Sequence, residues 1–184
     1  METTGDKTQR QTTFTSDARF YAQPYDICAQ GFFFVGKEDY KAKFGQCRNS
    51  YGEPVEEFEI QFIDGSDLDY DLFNALDISQ ATILDFIDKL DEWEEQDKIK
   101  LIIAVGEVGY AFDFKTGSPD DYEIDIYADM TLSDLAYMFV DEGLFGDISD
   151  NILMYLDYDL IARDLGYDYT EITIAGVTYT FRAA

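Results

Sequence analysis

Carboxylates are the only chemically active side chains that this sequence holds in quantity. Thirty-nine residues are Asp or Glu, 13 are Lys or Arg, and there is no His, the usual proton shuttle and metal ligand. Among so many carboxylates, some pair will always have the separation that a glycosidase needs, so a pair by itself indicates nothing. We therefore predict no catalytic residue, no metal site, no cofactor and no enzymatic activity.

The residues needed for nucleophilic cysteine, zinc, phosphate-binding or calcium sites are missing as well. Cys28 and Cys47 have no His base and no further Cys for a zinc site, which favours two free thiols over one disulfide. The sequence has no phosphate-binding GK[ST] loop. The acidic segment 64–71, DGSDLDYD, lacks the Gly and Glu that a calcium-binding EF-hand loop places at fixed positions. A solvated acidic turn is the simpler interpretation.

The acidity is distributed unevenly. Residues 1–50 hold six acids and seven bases, whereas residues 51–184 hold 33 acids and six bases, and the net charge is −26. Nucleic-acid phosphates would repel this surface. Duplex DNA carries one charge per about 1.7 Å, so 26 charges match about 44 Å of duplex, close to the diameter of about 40 Å expected for a compact chain of this length. This density favours a DNA mimic; solubility or a halophilic setting is the alternative.

Apolar patterning predicts the elements that position these carboxylates. Residues 1–16 have no periodicity and no apolar signal-peptide core, so a disordered tail is expected, and no stretch is apolar enough for a membrane span. Residues 17–65 form a predicted β-rich unit of three strands and a short helix. Its strands are Phe20–Ala22, Phe32–Val35 and Phe58–Ile63, and its helix is Lys37–Phe44.

A helical middle unit is predicted over residues 66–116. Ser79 is its expected N-cap, followed by an apolar face of Ile83, Leu84, Ile87 and Leu90. The opposite face carries an acidic stripe with charges roughly 5 Å apart along the axis. The stripe consists of Asp85, Asp88, Glu92 and Glu95. The segment 98–110 fits either a strand or a second, buried helix.

The remaining residues, 117–184, form a predicted C-terminal α+β unit. Tyr122–Tyr127 alternates as a strand does, and Thr131 with Asp134 resembles a capping box for a helix that ends at Gly143. Two short helices, 149–156 and 159–165, precede a hairpin around Ala175–Gly176. The predicted fold class is therefore α+β, with three small units.

The C-terminal third resembles the ArdA antirestriction proteins. The stretch Asp129–Arg182 has an acidic helix that ends in Asp-Glu-Gly, an L-F-G-D-I turn, the segment Tyr155–Asp159, then Ala162–Leu165 and a closing hairpin. Leu144–Leu165 is similar to the antirestriction motif of that family. Glu56–Ile60 and the opening strand near 19–22 are similar as well, and the middle of the chain diverges.

This resemblance implies an elongated, three-part DNA mimic that occupies the DNA groove of Type I restriction–modification enzymes, made of methyltransferase and specificity subunits. It also implies a homodimer and an Arg163 that pairs as a buried residue with a nearby Asp. We expect the protein to be cytoplasmic and, from its charge and its lack of a long apolar stretch, to contact neither nucleic acid nor membrane. The motif and expected dimer contact consist of Tyr155, Leu156, Asp157, Tyr158, Asp159, Ala162, Arg163, Asp164 and Leu165.

The acids expected to bind the target are distributed along the chain, so that no single one is decisive. They are Asp85, Asp88, Glu92, Glu95, Asp120, Asp121, Asp125, Asp134, Asp141 and Asp150. Two alternatives stay open. One is a DNA mimic directed at another target, such as a CRISPR effector or a nucleoid protein. The other is an acidic cation-binding or scaffold protein.

Overall fold

A computed structural model describes residues 17–183 and has an α+β fold, as the sequence predicted. Seven α-helices and two three-stranded antiparallel sheets lie within these residues. The predicted N-terminal tail, 1–16, lies outside them.

The first sheet has the order β2-β1-β3, with β1 at Arg19–Pro24, β2 at Phe32–Phe34 and β3 at Phe58–Asp64. These strands and helix α1, Lys37–Gln46, confirm the predicted elements within two residues. Phe20 pairs with Phe34 on one side and with Phe62 on the other, and its ring contacts both. Alternation along the strands therefore gives this sheet an aromatic inner face.

Three helices follow the first sheet: α2 at Asp67–Ala75, α3 at Ile83–Glu92 and α4 at Glu95–Leu101, which Ile102–Glu107 continues as a π-helix. The ambiguous segment 98–110 is thus mainly helical. Its β-branched residues favour a strand, but Ile99, Leu101 and Ile103 are buried in the core, and tertiary packing overrides weak local propensity.

The second sheet has the order β4-β6-β5 and belongs to the C-terminal part. A 3₁₀ turn, Pro119–Asp121, leads into β4, Ile124–Ala128. Helices α5, Leu132–Asp141, α6, Asp150–Leu153, and α7, Tyr158–Leu165, precede β5, Thr170–Ile174, and β6, Val177–Ala183. Ala175 and Gly176 both have positive φ, as the predicted tight hairpin requires.

Two helix boundaries differ from their predictions. The helix expected to begin at Ser79 starts instead at Ile83, after a turn in which the Ser79 backbone N–H donates to the Thr82 hydroxyl. The helix expected over 149–156 spans only Asp150–Leu153, since the chain turns again at Tyr155, whose N–H donates to the Ile152 carbonyl.

The core is continuous across the three predicted units. The larger hydrophobic cluster includes Phe20 of β1, Phe86 of α3 and Phe181 of β6. A smaller cluster contains Leu135, Phe139 and Tyr169. Strand β4 lies between them, because Ile124 and Ile126 pack on the larger cluster whereas Tyr127 packs on the smaller.

Both cysteines are free thiols, Cys28 exposed and Cys47 buried, and burial raises the pKa of Cys47. No helix within residues 17–183 is long and apolar enough to cross a bilayer.

Candidate functional site

Nine of the ten predicted target-binding acids are exposed, and Asp85 is half-buried. Three of them form ion pairs: Asp88 with Lys37, Glu92 with Lys89, and Asp125 with Arg182. Within residues 17–183, Glu95, Asp120, Asp141 and Asp150 have no ion pair. The structure places the ten acids in groups on α3 and at the start of α4, along β4, and around α5 and α6.

The predicted acidic stripe is interrupted, which corrects its expected geometry. Helix α3 ends at Glu92, and Trp93 has an extended backbone because its ring packs against Phe112 and Phe114 at 5.7 and 6.2 Å. Glu94 then caps a new helix, reciprocally with Asp97. Glu95 therefore belongs to α4, and only Asp85, Asp88 and Glu92 share one helix.

The group along β4 contains Asp120, Asp121 and Asp125. Asp121 accepts a hydrogen bond from the Ser118 backbone N–H at 2.8 Å, which fixes the 3₁₀ turn before the strand. Asp125 accepts one from Arg182 at 2.7 Å, and this hydrogen bond raises the pKa of Arg182. The Arg182 guanidinium also lies 5.2 Å from the centre of the Tyr169 ring.

The third group surrounds α5 and α6. Asp134 forms the predicted capping box, and its hydrogen bonds from the Thr131 hydroxyl and backbone N–H lower the pKa of its carboxyl. Helix α5 ends at Asp141, and Gly143, the predicted end, follows two residues later with a φ of 73°. Asp141 and Asp150 line a hollow between α5 and α6 together with Asp147.

The ArdA-like motif is mostly on the surface. Ala162 is buried, and Leu165 packs on the smaller core. Asp157 caps α7 by accepting a hydrogen bond from the Leu160 N–H. The Tyr158 ring stacks on Tyr137 of α5 with centroids 4.0 Å apart. Of the remaining motif residues, Leu156 is half-buried, and the others are exposed, namely Tyr155, Asp159, Arg163 and Asp164.

The expected burial of Arg163 is wrong. Its side chain is 67% exposed, and its guanidinium pairs with the neighbouring Asp164 at 3.1 Å. It lies one position after Ala162, which α7 turns inward, so Arg163 projects away from the core.

Exposed apolar side chains lie within and near the motif along the chain, and sequence reasoning did not single them out as a surface. We call it the C-terminal apolar surface and define it as Leu144, Phe145, Ile152, Met154, Tyr155 and Leu160, all exposed. The sequence indicated this surface by two apolar runs within an acidic region, LF at 144–145 and ILMYL at 152–156. Clustered exposed apolar residues of this kind are typical of protein–protein contacts.

The acidic segment 64–71 serves the fold. Asp69 is buried and pairs with Lys98 of α4 at 2.6 Å, and Asp71 accepts a hydrogen bond from the Ala175 N–H of the β5–β6 hairpin at 2.8 Å. Both carboxylates therefore bind partners that belong to the fold. Across residues 17–183, no three Cys, Asp or Glu side chains are placed to hold a metal ion.

A further group of acids was missed by sequence reasoning. Glu94 and Glu123 line grooves beside β4, and Asp147 lines the hollow between α5 and α6. Strand alternation alone would put Glu123 on the same face as Asp125, but its proximity to Lys100, near the end of α4, depends on the tertiary fold.

No protein-family model matches the chain, and a search of curated proteins finds no match.

Proposed function

We propose that this protein is a cytoplasmic, non-enzymatic DNA mimic that binds the DNA groove of Type I restriction–modification enzymes and blocks them competitively. The observation that carries the proposal is a net charge of −26 whose predicted contact acids are nearly all exposed on regular elements. Two-thirds of the acids, 26 of 39, are Asp, whose short side chain holds the charge close to the backbone.

Fixed carboxylates are what a groove shaped for phosphates would bind. Carboxylates on helices and strands move less than those on loops, so the ordering cost of binding is smaller. Asp121 and Asp134 are further fixed by their caps. The ArdA-like motifs support a restriction enzyme as the target and an origin in a mobile genetic element, where an anti-defence protein would act inside the host cell.

A homodimer is part of the proposal. The C-terminal apolar surface coincides with the motif through which ArdA-like proteins are expected to dimerise, and covering it would remove apolar groups from water. Two protomers would present a charge of about −52, equivalent to about 26 base pairs of duplex.

The test is competition for a Type I methyltransferase–specificity complex loaded with fluorescent duplex DNA. The protein should displace the duplex, and its direct affinity for the enzyme should fall as salt rises. Failure of a large excess to displace the duplex would contradict the proposal.

Two variants of equal charge sharpen this test. Glu95→Gln/Asp120→Asn/Asp141→Asn removes carboxylates that have no ion pair within residues 17–183, and Asp88→Asn/Glu92→Gln/Asp125→Asn removes paired ones. Each single change should weaken inhibition less than about fivefold, since an exposed charge contact is worth about 0.2–1 kcal/mol. The first triple variant should lose more, because unpaired carboxylates are free to meet cations of the enzyme. Complete loss from one single change would be inconsistent with distributed binding.

A further inference from the structure

An apolar groove lies between helix α4 and the second sheet. Ile99 of α4 forms one wall, and Ile124, Ile126 and Tyr179 form the floor, with Ala128 at one end. The groove has a volume of about 710 Å³. Ala128 is exposed and lines it on the same strand face as Ile124 and Ile126, so its methyl group leaves space there that a larger side chain would occupy.

Acidic side chains stand at one end of this groove and in a hollow that adjoins it. Glu94 and Glu95 stand at the start of α4. A second hollow shares Lys100 and Ile124 with the groove and continues it past Asp120, Glu123 and Asp125. These five carboxylates face two cations, Lys100 and Arg182, of which Arg182 is paired with Asp125.

The pKa of Tyr179, in the floor, responds to acids near the groove. Burial raises the pKa of the Tyr179 hydroxyl, and the nearby charges of Glu95 and Asp129 raise it further. The charge of Glu95 therefore acts on Tyr179 of the floor.

A phosphate lattice offers a DNA-binding enzyme no apolar cavity, so mimicry of DNA gives no reason for this floor. We propose that the groove binds a cationic–apolar segment of the target polypeptide, in which an apolar side chain enters the floor and flanking Lys or Arg side chains contact the rim. This inference rests on the proposed function and deepens it, since it adds to the ionic contacts one that salt does not screen.

Charge complementarity selects this occupant. Glu94 and Glu95 beside the apolar floor, with the three carboxylates of the adjoining hollow, repel a nucleic acid or an acidic peptide and attract a segment that alternates Lys or Arg with Leu or Ile. The apolar part of the contact would contribute roughly 25 cal/mol for each Å² removed from water. Because apolar burial does not depend on ionic screening, the segment should stay bound at salt concentrations that release purely ionic partners.

Two fluorescent heptapeptides of equal charge test the groove in the full-length protein. The probes are Lys-Leu-Lys-Leu-Lys-Leu-Lys and Lys-Gly-Lys-Gly-Lys-Gly-Lys, measured by fluorescence anisotropy in about 0.5 M NaCl, where the Debye length is a few Å. We expect the Leu peptide to bind at least about tenfold more tightly than the Gly peptide. Equal affinities would overturn the proposal.

A groove-filling variant locates the binding. Ala128→Phe should abolish the preference for the Leu peptide, because the aromatic ring occupies the floor. Thr173→Phe is the matched control, since Thr173 is an exposed residue of β5, on the opposite edge of the same sheet, and should keep the preference. If Ala128→Phe does not fold, as judged by circular dichroism, the smaller Ala128→Ile replaces it. Retention of the preference in a folded groove variant would refute the site.

The two proposals fail separately. If the Leu peptide is preferred but the protein does not displace duplex DNA from the enzyme, the groove stands and the proposed function falls. If duplex is displaced but the two peptides bind equally, the function stands and the groove proposal falls.

Discussion

At the scale of single residues, Gly31, in the connection that leads from β1 into β2, has no room for a side chain. A Cβ atom there would lie 2.4 Å from the Ala22 carbonyl oxygen and 2.5 Å from the Tyr21 hydroxyl. Ala22 is fully buried in the first sheet, so its backbone has little freedom to move. Gly31 is needed for the close approach of two chain segments.

We predict that Gly31→Ala lowers the free energy of unfolding by about 1–3 kcal/mol, the usual cost of overpacking. Gly45→Ala is the matched control. Gly45 lies in α1 with open space around its Cβ position, so alanine there should stabilise the protein by about 0.5–1 kcal/mol. Urea unfolding followed by circular dichroism measures both. Shifts of the same sign would show that the spacing around Gly31 is not limiting.

At the scale of elements, the capping box of α5 couples helix stability to the charge of one carboxylate. Thr131 accepts a hydrogen bond from the Asp134 N–H, and the Asp134 carboxylate accepts from the Thr131 hydroxyl at 2.6 Å and from its backbone N–H at 2.9 Å. These bonds lower the pKa of Asp134 below its usual 3.8. Helix α5 carries Leu135 and Phe139 of the smaller core, so its start helps to position that core.

We predict that Thr131→Ala destabilises the protein at pH 7 by about 1 kcal/mol, the usual effect of losing a cap. Since the folded pKa of Asp134 is depressed, its stabilisation is present above the unfolded pKa and is lost as pH falls through the folded pKa. The difference from the unmodified protein should therefore shrink in that acidic range. Ser133→Ala, an exposed change on the same helix, is the control. A pH-independent difference would show that Asp134 does not contribute through its charge.

At the scale of the whole molecule, two features have opposite effects on self-association. A charge of −26 drives two copies apart, whereas the C-terminal apolar surface favours their association. Raising the salt concentration screens the repulsion and leaves the apolar contact intact. The proposed dimer should therefore tighten with salt, opposite to the proposed complex with the enzyme.

We predict that Tyr155→Asp weakens the dimer by about tenfold or more, since a charge would be placed within an apolar contact. Tyr51→Asp is a matched control, because Tyr51 is 79% and Tyr155 is 80% exposed and neither change should disturb the protomer core. Sedimentation equilibrium at two salt concentrations measures both variants. Equal dissociation constants for the two variants would exclude Tyr155 from the dimer contact.

Much of the fold could be read from the sequence where local rules determine it. The strand pattern of Phe20–Ala22, the Thr131–Asp134 capping box and the Ala175–Gly176 turn each depend on a few adjacent residues, and the structure confirms all three. Exposure of nine candidate acids was also predictable, because Asp and Glu are seldom fully buried.

Other features depend on partners distant in the sequence. The acidic stripe breaks at Trp93 because that ring packs on Phe112 and Phe114, and 98–110 is mainly helical because its apolar residues are buried in the core. The same holds for Asp69, which looked like one acid of a solvated turn and is instead buried against Lys98.

Composition and local pattern thus determined that the protein is acidic, α+β and rich in exposed carboxylates. Only the tertiary structure decided which carboxylates are paired and which surround an apolar groove. The physical reason is that charge and local propensity are properties of neighbouring residues, whereas the groove beside β4 exists only because α4, β4 and β6 are packed together from separate parts of the chain.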